Sequence, residues 1–305
     1  MKNRNFRTLL LLALLLHSAC FSAEETSKYI RDLGSKDSIA KTKAIIMLGN
    51  NGDLGAIIPL VNIMKNDPAL DLKRQAVIAL GKIGDESIVP PMIGVLRTTA
   101  EAALVREIIK VLSNFKRGDV EEALLRFITS DNPIIRRETI LAMTAIKADG
   151  LSTAVKEALG DMSSDVRIAA VNFFAAVKST AALESILNLM NNDKVKDVRI
   201  SAIEVAGRIG SGVRVKKELK KLLSDKDTAV CLHAASALGM LGDSGGLNYA
   251  VEALETEEPS LRVMAVETLG NIKTAKSKKI LLKLKKKEEA YLKTAVEESI
   301  KKLGR

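Results

Sequence analysis

The chain is 305 residues long, with 47% hydrophobic residues, 3% aromatics, no Trp and six Pro. A composition led by Ala, Ile, Leu, Val and Lys argues against a β-sandwich and for closely packed helices, in two globular domains or one elongated array. The formal net charge of +10 is unevenly placed: Lys2, Arg4 and Arg7 open the chain, residues 273–305 hold twelve Lys or Arg against four Glu, and the stretch between is nearly neutral.

In chain order, residues 1–7 are basic, Leu9 to Leu16 reads LLLLALLL, and His17-Ser18-Ala19-Cys20 follows. A charged segment, an apolar segment and a small-residue site in succession predict an export signal over 1–19, with 20–25 as a short linker. The apolar run would span roughly 12 Å as helix, far short of a hydrocarbon core of ~30 Å. Leu16-His17-Ser18-Ala19-Cys20 resembles the bacterial lipoprotein signal, with His17 where that signal usually carries Leu. The resemblance implies lipidation of Cys20 and a membrane anchor; the alternative is simple cleavage near Ser22, releasing a periplasmic or secreted protein. Two cysteines, Cys20 and Cys231, cannot build a disulfide framework. Cys231 sits in an apolar helical setting and reads as a buried thiol.

From about Thr26 the sequence repeats itself. Asp71-Leu72-Lys73-Arg74-Gln75-Ala76 ending in Gly81-Lys82-Ile83-Gly84-Asp85 is echoed by Asp197-Val198-Arg199 ending in Gly207-Arg208-Ile209-Gly210. Ala229-Val230-Cys231 ending in Gly239-Met240-Leu241-Gly242-Asp243, and Leu261-Arg262-Val263 ending in Leu269-Gly270, are further copies. Anchored on the basic position, the register runs Lys41, Lys73, Arg106, Arg136, Arg167, Arg199, Cys231, Arg262 and Lys293, at spacings of 30 to 33 residues. Eight two-helix units and a basic half-unit then fill 26–305. The Arg106 unit fits with a one-residue slip, and the Ala175 unit lacks the glycine.

Within a unit, Asp67-Pro68, Asp131-Asn132-Pro133 and Glu258-Pro259 open first helices. Val198, Ala202, Val205, Ala206 and Ile209 keep helical spacing. Gly49, Gly81, Gly207, Gly239 and Gly270 supply either a C-cap or a close helix contact. Gly84-Asp85 and Gly242-Asp243 turn the chain and can cap the second helix, which carries a stripe of its own, as in Leu183, Ile186, Leu187 and Met190. One pair cannot bury its apolar face alone, whereas stacked neighbours bury it continuously.

The pattern Asp-Val-Arg-x-x-Ala-x-x-x-Leu/Ala-Gly-x-Ile-Gly-Asp resembles HEAT repeats of the short class familiar from phycobilin lyase-like proteins. That resemblance implies an all-α, right-handed α-α superhelix of the armadillo/HEAT type. It also implies that Asp165/Arg167 and Asp197/Arg199 belong to a structural ladder between repeats. The family hosts scaffolds, chaperones and a few enzymes.

The inventory of reactive groups points away from catalysis. Only His17 and His233 are present. HEAT-repeat hydroxylases bind iron through His-Glu pairs, and here Ala234 follows His233. Cys231 and His233 are too few for zinc and point in different directions on a helix. No phosphate-binding glycine loop or activated nucleophile is present, so no cofactor and no catalytic residue is expected. The function expected is a non-catalytic protein-interaction scaffold at the bacterial cell envelope; the alternatives are a phycobilin lyase-like or small-molecule-handling protein, and nucleic-acid binding through the basic end. Nucleic acid is disfavoured because no aromatic platform accompanies the lysines and export removes the target. Solenoids bind along the face lined by second helices, which places Lys217, Lys220, Lys221, Asn248, Tyr249, Lys279 and Lys283 as partner contacts, with an exposed Tyr249 at the centre. The lysines of residues 273–305 read either as a solvated cap or as a dock for an acidic partner or anionic lipid.

Overall fold

The structure, a computed structural model, describes residues 23–287 and 290–304. Cys20 lies outside them, and with it the export, cleavage and lipidation expectations. Eighteen α-helices and five 3-10 turns carry the described residues, with no strand among them, which agrees with the all-α expectation.

The chain divides into two compact units, the first ending at Ile146 and the second beginning at Lys147. The first holds α1 (Ala23–Asp32), α2 (Ser38–Asn51), α3 (Ile57–Asn66), α4 (Leu70–Ile83), α5 (Val89–Thr98), α6 (Ala102–Leu112), α7 (Gly118–Leu125) and α8 (Pro133–Ala145). First helices α2, α4, α6 and α8 stack in one layer, and second helices α3, α5 and α7 in another. The second unit holds α9 (Ser152–Glu157), α10 (Ser164–Ala176), α11 (Leu183–Asn192), α12 (Lys196–Ile209), α13 (Gly212–Lys221), α14 (Thr228–Met240), α15 (Leu247–Ala253), α16 (Pro259–Ile272), α17 (Ala275–Lys287) and α18 (Lys293–Leu303). Here α10, α12, α14, α16 and α18 stack, and α11, α13, α15 and α17 pack against that layer.

Local chemistry starts the helices. Asn132 accepts the Ile134 amide at 2.9 Å and Pro133 takes the first position of α8, where a missing N–H costs nothing. Pro259 does the same for α16. Asp67 works one turn before α4, accepting the Ala69 amide at 2.9 Å and the Lys41 ammonium at 2.8 Å. Val198, Ala202, Val205 and Ala206 are buried on α12, and Ile186, Leu187 and Met190 on α11.

The structure separates two kinds of glycine. Gly84 and Gly242 have φ of 70° and 72° and make the expected turns, after which Asp85 accepts the Ser87 amide and Asp243 the Gly245 amide, both at 2.8 Å. Gly49, Gly207 and Gly239 instead lie inside first helices and are contact residues, not caps. A Cβ on Gly49 would stand 2.7 Å from the Ala79 Cα, and one on Gly207 2.8 Å from the Ala237 Cα. On Gly239 it would lie 2.7 Å from the Ile272 nitrogen. Gly81 and Gly270 are equally tight, against the side chain of Val111 and against Ser299. In α10, which has no glycine, Phe173 and Phe174 are fully buried and meet edge to face, ring centres 5.4 Å apart.

The basic column also acquires a role. Arg136 donates to the Ser130 carbonyl at 2.7 Å, Arg167 to Asp161 at 2.7 Å, and Arg199 to Asp193 at 3.1 Å, in each case six residues back. Carbonyls at a helix C-terminus lack intrahelical donors and carry partial negative charge, so a cation belongs there. Cys231 keeps the same contact, its thiol 3.2 Å from the Asp225 carbonyl. The inter-repeat ladder exists, with a different carboxylate from the one two residues upstream. Arg167 reaches forward to both oxygens of Asp193 at 2.7 and 2.9 Å, while Asp165 is exposed in the first turn of α10. Burial pushes Asp193 up, but the Arg167 hydrogen bonds, the Val195 amide and the charges of Arg167 and Arg199 hold it below its ordinary value.

Two expectations follow. Gly239→Ala lowers the melting temperature, overpacking of this kind costing about 1–3 kcal/mol. Gly94→Ala, at an exposed helical site with open space around it, adds about 0.5–1 kcal/mol; equal effects in thermal melts would refute the contact role. Asp193→Ala removes about 2 kcal/mol, hydrogen bonds to charged groups contributing roughly 1.5–3 kcal/mol. Since the folded-state value of Asp193 lies below its unfolded one, its stabilisation is whole above about pH 4 and is lost as pH falls through the folded value. The variant therefore shows a shallower acid limb in pH-dependent unfolding, and an acid limb identical to the parent's would contradict this.

Candidate interaction surface

Helix α13 buries Val215 and Leu219, so its opposite stripe faces out. Lys217, Lys220 and Lys221 are exposed on that stripe at helical spacings of three and four. Lys220 pairs with Asp243, in the loop before α15, at 2.8 Å. Lys221 donates to both oxygens of Glu218 at 2.8 and 2.9 Å, and Glu218 also accepts from Asn191 of α11 at 3.1 Å. Arg214 reaches Glu184 of α11 at 2.6 Å. The lysine hydrogen bonds hold Asp243 and Glu218 below the usual carboxylate range. Lys220 therefore ties α13 to the loop before α15, while Lys221 steadies the Glu218 carboxylate that Asn191 of α11 meets. Lys217 is exposed and makes no hydrogen bond or ion pair among the described residues.

Across that bridge stands α15, with Asn248 exposed and Tyr249 half-buried. The sequence expectation of an exposed Tyr249 is corrected by helical phase: the ring stands one residue from Ala250 and four from Ala253, both buried, so it leans toward the core. Lys279 and Lys283 are exposed on α17, with no hydrogen bond or ion pair to α13 or α15 among the described residues. The seven expected contact residues thus form two groups, one bridged across α13 and α15 and one on α17.

The reactive groups are engaged elsewhere. Cys231 is buried with its thiol on a carbonyl, and burial pushes its pKa up, which suppresses the nucleophilic thiolate. His233 Nδ1 lies 3.1 Å from Glu204 Oε1, and that contact holds the Glu204 carboxyl below its ordinary value. Among the described residues no three His, Cys, Asp or Glu side chains group to hold a metal. Sequence reasoning missed that the Glu204–His233 pair belongs to a polar seam along the first helices. Asn172 meets Ser201 at 3.4 Å, and Ser236 meets Asn271 at 2.8 Å. A signal was present for two of the three: polar residues five places after one anchor face those two places after the next, as Asn172 faces Ser201 and Glu204 faces His233, whereas Ser236 meets Asn271 outside that register. A groove of about 490 Å³ between α9 and α11 is lined by Lys156, Glu184 and Asn188, and another of about 610 Å³ by Met240, Asn271 and Lys302.

Comparison with protein-family models matches HEAT repeats over residues 57–143, 151–235 and 216–301. No curated protein matches the chain. Among solved structures, a crystal structure of an engineered protein aligns over 91% of this chain and 88% of its own, at 19% identity and a TM-score of 0.50. A model of the full-length AP-3 complex in an intermediate open conformation aligns over 87% of this chain at 16% identity and a TM-score of 0.64; the match spans 55% of that chain. The complex of CpcE and CpcF of phycocyanin lyase from Nostoc sp. PCC7120 aligns over 83% of this chain and 97% of its own, at 18% identity and a TM-score of 0.45. The first two likenesses, at such identities, speak to fold and not to activity. With stacked helix pairs in each unit and the family match extending over more than half of its length, the chain belongs to the HEAT-repeat family.

Proposed function

We propose that this protein is a non-catalytic scaffold that holds a protein partner on the second helices of its second unit, at the bacterial cell envelope. The observation that carries the reading is the α13–α15 surface. Lys220–Asp243 and Arg214–Glu184 join neighbouring elements, while Lys217 and Asn248 stay exposed beside them. A surface braced by its own ion pairs loses little conformational freedom on binding, and the cost of association falls accordingly. The spent thiol of Cys231 and the His233–Glu204 contact favour holding over chemistry. The leader-like segment over 1–19, with Cys20 as lipid attachment site, supports the envelope as the place of action. An acidic patch on the partner suits Lys217.

The test uses a photo-crosslinking side chain placed at Lys217 or Asn248 in the full chain, expressed in a bacterial host. Both positions yield the same discrete adduct, and Arg208, exposed on a first helix, yields none. Lys217→Glu, which breaks no ion pair, lowers the adduct yield, and adding Lys220→Glu and Lys221→Glu lowers it further, to roughly a tenth or less, like-charge contacts costing several kcal/mol. An undiminished adduct in the triple variant overturns the assignment. Cys20→Ser moves the chain from the membrane fraction to the soluble fraction, and intact mass without acyl groups in the parent overturns the anchor.

A further inference from the structure

We infer that α17 is a docking face for an anionic lipid surface. Helix α17 reads AKSKKILLKLKKK and contains no Asp or Glu. Its inner stripe is set by Ser277 and Leu281, both fully buried, with Ile280 and Leu284 half-buried beside them. At about 100° per residue, Lys279, Leu282 and Lys286 fall diametrically opposite that stripe. Lys278 and Lys285 flank them on one side, and Lys276 and Lys283 on the other. All six lysines are exposed, and none pairs with a carboxylate among the described residues. Leu282, 43% exposed, stands in the middle of the lysine field.

The arrangement works against the helix that bears it. Like charges three and four apart repel, and cations in the first turn oppose the helix dipole. A solvated face needs polarity, which mixed charges supply without that repulsion. On α13, Lys220 and Lys221 have carboxylate partners; on α17 none of the six lysines has one among the described residues, which leaves a field of one sign.

The choice of residue selects the occupant. A folded partner is held by placed, braced charges such as those of α13, which α17 lacks, and single-stranded nucleic acid is held by aromatic stacking. Here every cation is a lysine, a point charge on a flexible stem, suited to a diffuse layer of headgroups rather than bidentate recognition. An apolar residue ringed by lysines matches the pattern of an interfacial helix, with Leu282 entering between headgroups while the ammonium groups stay among the phosphates. This inference does not rest on the scaffold reading, which concerns α13 and α15.

The measurement is partition of the full chain carrying Cys20→Ser onto vesicles of phosphatidylcholine alone or with about one-third phosphatidylglycerol; attraction by the N-terminal apolar segment is common to both vesicles and all variants. The anionic vesicles bind roughly tenfold or more tighter, since each lysine near such a surface contributes measurably, and the difference vanishes at about 0.5 M salt. Changing Lys278, Lys279, Lys285 and Lys286 to Gln lowers the preference severalfold, leaving what Lys2, Arg4, Arg7 and the remaining lysines contribute. Changing Lys65, Lys110, Lys178 and Lys226 to Gln, an equal loss of charge from exposed positions elsewhere, preserves it. Leu282→Ser weakens anionic binding severalfold at unchanged helicity. Three results overturn the proposal: no preference for anionic vesicles, equal loss in the two lysine variants, or tight capture of an acidic polypeptide without vesicle binding. An unaffected Leu282→Ser variant removes the apolar insertion from it.

Discussion

At five of the crossings between first helices of neighbouring repeats, those of Gly49, Gly81, Gly207, Gly239 and Gly270, there is no room for a methyl group. At Gly49, Gly207 and Gly239 an added carbon would stand within 2.8 Å of the next helix's backbone. Glycine in a helix interior sacrifices about 0.5–1 kcal/mol of propensity relative to alanine. Its presence at successive crossings means that close backbone contact recovers more than that, through dispersion summed over many atoms. Close approach also puts short polar side chains within reach of the next repeat. Ser236 and Asn271 hydrogen-bond directly, and the Ser299 hydroxyl reaches the Val266 carbonyl at 3.1 Å.

The second constraint is electrostatic and sits at the ends of the second helices. A stack of short helices multiplies helix termini, and each leaves carbonyls without partners. Arg136, Arg167 and Arg199 answer this, each directed at the carbonyl six residues earlier, and Arg262 reaches the Leu254 carbonyl eight residues earlier. Arg167 does more than its counterparts, because the carboxylate of Asp193 closes a second pair of bonds and links one helix pair to the start of the next. The substitution of Cys231 at the same place keeps a weak donor and gives up the charge, which is tolerable because a single terminus costs little within a stack. Repetition spreads the burden, so that no one residue decides the fold.

That spreading explains what the sequence disclosed. The repeat, the first-helix starts at Pro133 and Pro259, and the turns at Gly84 and Gly242 were legible because each rests on residues within a few positions of one another. Whether Gly239 was a cap or a contact was not legible, since the answer depends on Ile272, more than thirty residues away. The same holds for Arg167, whose local neighbour Asp165 looked like its partner while the partner in space is Asp193. Exposure of Tyr249 was misjudged for a related reason. Seven-residue α15 has so narrow a buried stripe that a small error in phase turns a ring from solvent to core. The contact face was legible as the stripe on α13, but its bracing by Glu184, Asn191 and Asp243 depends on the neighbouring elements.

Charge is handled differently on two second helices of the same unit, and the difference carries functional meaning. On α13, Arg214 and Lys220 answer carboxylates from α11 and from the loop before α15, and Lys221 answers Glu218 of its own helix, so part of the charge is cancelled within a Debye length, about 8 Å in physiological salt. A face of that kind recognises shape and a few placed charges, which is how one folded protein holds another. On α17 the six exposed lysines have no carboxylate partner among the described residues, their field adds rather than cancels, and no fixed geometry is imposed on what they attract. Such a face responds to charge density spread over an area, and a sheet of anionic headgroups presents that without needing any particular contour. Stiff complementarity on one helix and diffuse attraction on another are separable requirements, and a repeat protein meets them by varying exposed positions while its glycine contacts and terminal donors stay in place.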